Sequence, residues 1–239
     1  ARQEVFLDVT FDLIDQRLDD RVSQLGLAGA AYVVEPAEGD GHLHQVGAVD
    51  LTTPVPLAES SMWTTSAVLL SLVDEGRLGL DEPIGPHLPQ LTGPAAGITL
   101  RQLLSHTSGL PTAVPCDEAT PAGCDAAIDR APLLATPGEA FRITDLDAHV
   151  AARLAESVTG SPWSELFETR IAAPAGMTAT TYADPSTTGG LLAVDGTTTA
   201  EDFGRFLAVI RDGGESGGAV VLSEAAIREM LLDQTVRLD

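Results

Sequence analysis

Residues 57–83 read LAESSMWTTSAVLLSLVDEGRLGLDEP, and the rest of the chain is organised around them. From Leu57 to Gly76 the apolar residues are too dense to leave a wide polar face, so the run reads as a buried helix, with Gly76 as its stop. The continuation LGLDEPIGPHLPQL carries Pro83, Pro86 and Pro89, which forbid regular structure and force a loop. Ser60 and Ser61 near the helix start invite a nucleophile reading, so the question becomes what stands beside them.

Upstream, Val5, Val9, Leu13, Ile14, Leu18, Val22 and Leu25 recur at helical spacing, which predicts a helix over roughly residues 5–25, ended by Gly26. AGAAYVVEP, the turn-forming EGDG and HLHQVGAVD then predict a β-hairpin. His42 and His44 alternate on one arm. Without a third ligand nearby they read as an exposed strand face rather than a metal site. A two-stranded hairpin is marginal alone in water, so this one is expected to belong to a larger sheet.

Downstream, Thr99 and Gln102 form a T-x-x-Q capping box that opens a short helix before Gly109. Further helices are expected over residues 124–131, over 145–159 with Gly160 as stop, after a Ser161 cap with Pro162 at the first helical position, from Thr198 or Thr199 to about Arg211, and from Ser223 to about Leu232. IAAPAGMTATTY reads as irregular and GGLLAV as a short apolar strand or turn. After the hairpin the chain is thus expected to be almost entirely helices and loops.

The 239 residues carry 13 basic and 35 acidic side chains, a formal charge of -22 that repels nucleic-acid phosphates and anionic lipid. The acids are spread along the chain, as on a solvating surface. All the basic residues are arginine, and lysine is absent. No apolar run approaches the roughly 18 residues of a membrane span. Cys116 and Cys124 lie C-x7-C apart in a loop rich in Pro, Asp and Gly; a local disulfide is the reading, against two free thiols. That places folding in an oxidising compartment, and Ala1 suits a mature terminus left by a removed signal peptide. No cofactor or metal site is expected.

In GLAGAAYVV (26–34), LVDEGRLGLDEPIGPHLP (72–89), ITLRQLLSHTSGLP (98–111), the run from Thr136 to Tyr182 that begins TPGEAF, and GGLLAVDGTTTAEDFGRFLAVIRDGG (189–214), the sequence resembles the serine β-lactamase and penicillin-recognising DD-peptidase superfamily, in its class C, D-aminopeptidase and esterase branch. The resemblance implies an α+β, β-lactamase/transpeptidase-like fold: an antiparallel sheet flanked by helices, an all-helical subdomain, and an active site between them. It implies one domain over 1–239, with the hairpin part in 1–56, a mainly helical part in 57–239, and the C-terminal sheet strands missing. A protein partner or that missing segment would complete the sheet, and any membrane anchor would lie outside this chain.

The family's chemistry rests on S-x-x-K, Y-x-N and a Lys/His-Thr/Ser-Gly strand. Counted back from Gly76, the serine position falls on Glu59 and the lysine position on Met62. After PGEAF, the tyrosine and asparagine positions fall on Ile143 and Asp145. The third motif is absent. The implied protein is a catalytically inactive, extracytoplasmic member kept for binding, scaffolding or assembly, with Glu59, Met62, Ile143 and Asp145 as vestigial cleft positions and no catalytic residue. The alternatives are an enzyme working through a Glu59–Asp145 carboxylate pair, or a hydrolase using Ser60 or Ser61 with another base such as His106. His106 otherwise reads as structural, and His149 as helix surface or a satisfied packing residue rather than a catalytic base. Met62 and Trp63 read as core rather than as an apolar ligand floor.

Overall fold

The computed structural model describes residues 2–36, 41–115, 121–183 and 191–235, with the side chains of residues 2–10 and 121–122 left undescribed. The architecture is α+β. Helix α1 (Arg2–Leu25) runs into Gly26, whose φ of +64° ends it. Strands β1 (Gly29–Val34) and β2 (His42–Gly47) pair antiparallel, Tyr32 opposite His44 and Val34 opposite His42. The face carrying the two histidines is not the free surface expected. It packs on α1: His42 Nε2 lies 3.0 Å from Asp15, His44 Nε2 lies 2.8 Å from Asp19, and the Tyr32 hydroxyl donates to Asp15 at 2.6 Å. Among the described residues this sheet has two strands.

Strand β3 (Val55–Pro56) leads through a tight 3-10 turn (Ala58–Ser60) into α2 (Ser61–Asp74). Helix α2 is the axis of the core: Ala67, Val68, Leu69 and Leu72 are wholly buried. Around it lie α3 (Leu100–Leu104), α4 (Pro121–Arg130), α5 (Asp145–Thr159) and α6 (Trp163–Phe167). The Thr99/Gln102 capping box is complete, with Gln102 N–H donating to Thr99 Oγ1 and Thr99 N–H to Gln102 Oε1. Helix α4 starts earlier than expected, at Pro121, because proline suits the first turn, where no intrahelical N–H is needed.

The Ser161–Pro162 expectation shifts by one residue. Pro162 occupies the cap and Trp163 the first turn, while Glu156 accepts from the Trp163 N–H at 2.9 Å. IAAPAG is not irregular: a π-turn (Glu168–Ala172) passes into α7 (Ala173–Ala175). Pro174 withholds an N–H and crowds the carbonyl one turn back, and a widened turn relieves both.

Five short strands also depart from the helix-and-loop expectation. β4 (Thr181–Tyr182) and β3 flank β5 (Gly196–Thr198) in a three-stranded sheet, while β6 (Glu215–Ser216) and β7 (Ala219–Val220) form a hairpin. Gly217 and Gly218 turn that hairpin with φ of +56° and +82°. Between them α8 (Ala200–Arg211), capped by Thr199, lies against β1, with Gly204 letting Val33 approach. Helix α9 (Glu224–Leu231), capped by Ser223, closes on α2.

Candidate functional site

The chain enters α2 through Ala58, which holds a φ of +46°. Two other non-glycine residues share that left-handed region among the described residues, His106 at +55° and Ala193 at +60°. Each such residue costs roughly 1–3 kcal/mol, and the three sit on the segments that frame one cleft. Ala58 and Val194, next to Ala193, line one chamber; His106 lines the other.

The first chamber, about 290 Å³, lies among α2, α3, α9 and the segment before α5. Glu59, Met62, Trp63, Ser66 and Leu70 come from the start of α2 and its entry turn, Arg101, Leu104, Ser105 and His106 from α3 and its end, Ile143 from the loop, and Glu229, Met230 and Gln234 from α9 and beyond. The second, about 390 Å³, is lined by Glu59, Asp145, Val194, Asp195 and Thr197 among others. Glu59 borders both. The structure thus brings Glu59, Met62 and Ile143 together around one chamber and Glu59 with Asp145 around its neighbour.

Met62 is core, as expected. Trp63 is not: one residue further round the helix, it is 45 % exposed and faces the chamber. Ile143 is likewise held out, 54 % exposed. Neither Ser60 nor Ser61 lines either chamber. Ser60 borders a separate cavity beside Ala31 and Phe203, and Ser61 is buried, its carbonyl accepting from Thr64 Oγ1 at 2.9 Å.

His106 is anchored from below. Its Nδ1 lies 2.8 Å from Oδ2 of Asp147, whose Oδ1 accepts from Ser108 Oγ at 2.5 Å. Burial pushes the Asp147 carboxyl above its ordinary range, while the bonds from His106 and Ser108 pull against that rise. Arg101 is equally committed: Nε and Nη2 donate to the two Asp81 oxygens at 2.6 and 2.9 Å, and Nη1 reaches Glu229. Its charge is spent on acids. Of the two readings of His149, helix surface or packing residue, burial leaves the second: it is wholly buried, its Nδ1 accepting from Leu192 N–H at 2.9 Å and its Nε2 lying 3.3 Å from Asp125. Burial raises the Asp125 carboxyl, but the His149 bond and the charge of Arg153 bring it below the usual carboxylate range.

Sequence reasoning passed over Trp63 as a cleft residue and missed Arg101, Asp195, Glu229 and Met230. Arg101 and Asp195 sit inside quoted blocks, LRQLL and AVDG, but nothing in their spacing points at Glu59. Among the described residues no group of three or more His, Cys, Asp or Glu side chains is placed to hold a metal ion. Of the expected disulfide, Cys116 lies outside the described residues and Cys124 is buried on α4.

The model of the beta-lactamase family matches residues 14–236. The D-alanyl-D-alanine-carboxypeptidase/endopeptidase AmpH of Escherichia coli K12 is 28 % identical over 197 residues, covering 72 % of this chain and 49 % of its own length. The chain therefore spans about half the length of that relative. A solved structure from Bacteroides dorei DSM 17855, provisionally described as a beta-lactamase, superposes with a TM-score of 0.84 at 30 % identity, covering 96 % of this chain and 71 % of the other. The D-alanine carboxypeptidase AmpC of Burkholderia cenocepacia, at 22 % identity, shares the fold with a TM-score of 0.74 over 94 % of this chain and 69 % of its own.

Proposed function

The chain belongs to the beta-lactamase family, and from that premise we propose that it is a non-hydrolysing member whose cleft serves binding, scaffolding or assembly outside the cytoplasm. One observation carries this reading: around the chamber at the start of α2 stand Glu59, Met62 and Ile143, where the family resemblance calls for a serine, a lysine and a tyrosine. A serine nucleophile needs a base to lose its proton at neutral pH. The methionine thioether and the isoleucine side chain accept no proton, and the chain has no lysine to supply one from elsewhere. Met62 also removes a positive charge, so the cleft no longer attracts the carboxylate that such a lysine would hold.

The two-stranded β1–β2 sheet and the chain's half-length match to its relative support a second part of the proposal, that a further segment or protein partner adds strands there. A Cys116–Cys124 disulfide would fit the extracytoplasmic setting.

The test is intact-mass measurement of native protein before and after incubation with benzylpenicillin and with a fluorophosphonate. The expected spectrum is unchanged by either probe and lighter by two hydrogens than the fully reduced chain. A stoichiometric covalent adduct overturns the non-hydrolysing reading. The carboxylate-pair alternative draws on Glu59 and Asp145 lining one chamber with Asp195. It requires a turnover that disappears in the Glu59→Gln, Asp145→Asn double variant.

A further inference from the structure

We propose that the cleft beside Glu59 binds amphiphilic organic cations: a primary or quaternary ammonium group carried on an aromatic or branched aliphatic body. The inference rests on the non-hydrolysing reading above and names the ligand class of that cleft.

The apolar part of the argument is the first chamber. Leu70, Leu80, Leu104 and Met230 form its walls, and Trp63 and Ile143 stand half-exposed at its edge. Large apolar side chains held in water are costly, and a ligand body laid over them recovers that cost. At about 290 Å³ the chamber is at the small end of ligand pockets, which suits a single ring rather than an extended peptide.

The charge part is independent of the first. Glu59 stands where the apolar chamber meets the second one, which adds Asp145 and Asp195. The arginine in the lining, Arg101, is already bonded to Asp81 and Glu229, and Nδ1 of His106 is held by Asp147. The lining therefore offers no uncommitted arginine to an anionic ligand, on a chain whose formal charge is -22 and which has no lysine. An anion is repelled and a cation drawn in. Trp63, half-exposed in the lining, adds an indole, the ring that most favours ammonium groups. The absence of any three-ligand His, Cys, Asp or Glu grouping among the described residues argues against a chelated metal ion as the cation. What fits is charge and grease in one molecule.

Phenethylamine, 2-phenylethanol and phenylacetate form a matched probe set with the same ring and opposite or no charge. Binding to the full chain is followed by tryptophan fluorescence and by calorimetry. Trp163, the other tryptophan, is buried away from the cleft at 1 % exposure, so a ligand-dependent change reports Trp63. The amine is expected to bind about tenfold more tightly than the alcohol, the order of one exposed ion pair plus one cation–π contact, with the carboxylate weakest. Glu59 is exposed, so Glu59→Gln should fold normally and bring the amine close to the alcohol, and Glu59→Lys should invert the order of amine and carboxylate. Carboxylate binding as tight as amine binding, or an amine preference untouched by Glu59→Gln, overturns the proposal. A covalent penicillin adduct with the amine preference intact would instead overturn the non-hydrolysing reading alone.

Discussion

Asp147 is the carboxylate on which the floor of the cleft depends, and its replacement has a cost that can be worked from its contacts. It is wholly buried, with His106 Nδ1 at 2.8 Å and Ser108 Oγ at 2.5 Å, and Ser108 Oγ in turn accepts from the Leu110 N–H at 3.0 Å. Asp147→Ala removes two bonds to a charged group and leaves both partners facing an apolar void, a loss of about 3–5 kcal/mol. Asp147→Asn keeps the shape and one acceptor but turns an amide N–H₂ toward the other partner, costing about 1–3 kcal/mol. Because burial raises this carboxyl, the folded protein keeps a proton at a pH where the unfolded chain has released it. The group's contribution to stability is therefore greatest at low pH and falls as pH rises from the ordinary aspartate value through the folded one. Asparagine has no such proton, so the gap between wild type and Asp147→Asn should narrow as pH rises across that window. Urea unfolding of both proteins at a series of pH values from about pH 4 upward, followed by circular dichroism, measures this directly. A loss under about 1 kcal/mol for Asp147→Ala, or a gap that widens with pH, would refute the reasoning.

Two glycines separate backbone strain from collision. Gly26 and Gly109 both have positive φ, but a Cβ on Gly26 meets nothing within 4 Å, whereas one on Gly109 would stand 2.2 Å from the Ala135 carbonyl oxygen. Gly26→Ala should cost about 1 kcal/mol and Gly109→Ala about 3 kcal/mol or more in denaturant midpoint experiments. Across the core, Thr64 Oγ1 donates to Ser61 O and accepts from the buried Tyr182 hydroxyl at 2.6 Å. Tyr182→Phe should cost about 1 kcal/mol and Thr64→Val about 2 kcal/mol, with the double variant less destabilised than their sum because the stranded hydroxyl is gone.

What was legible in the sequence follows from how local each determinant is. Helix α5 was readable because its apolar stripe and Gly160 are contiguous, and the capping box at Thr99 closes within four residues. Strands β3, β4 and β5 were not, since each is two or three residues long and exists only through partners distant in sequence: Val55 pairs with Thr198, and Thr181 with Thr197. No period can be seen in two residues. The β6–β7 hairpin did carry a local signal, Gly217–Gly218 flanked by short polar and apolar pairs. The π-turn also had one, in Pro174, which marks where a regular helix cannot continue but does not say whether the chain widens or stops.

The cleft divides along the same line. Glu59 and Met62 are three residues apart at a helix start, so a register fixed from Gly76 placed both, and Ile143 and Asp145 were placed by the adjoining PGEAF block. Trp63 was weighed as core because an apolar side chain beside a buried one is usually buried too. Whether it is depends on what covers that side of α2, and here the facing wall is α9, more than 160 positions away in sequence, holding Glu229 against Arg101 instead of closing over the indole. The same contact pairs the arginine's charge with a carboxylate inside the cleft. The electrostatic sign of the site is therefore set by a long-range pairing: Arg101 counts as a lone cation when read in sequence, but in the fold its charge is outweighed by the two carboxylates of Asp81 and Glu229. Glu59 then borders an apolar chamber whose one arginine is already paired with acids, which is why the charge of a ligand, more than its shape, should decide whether it binds.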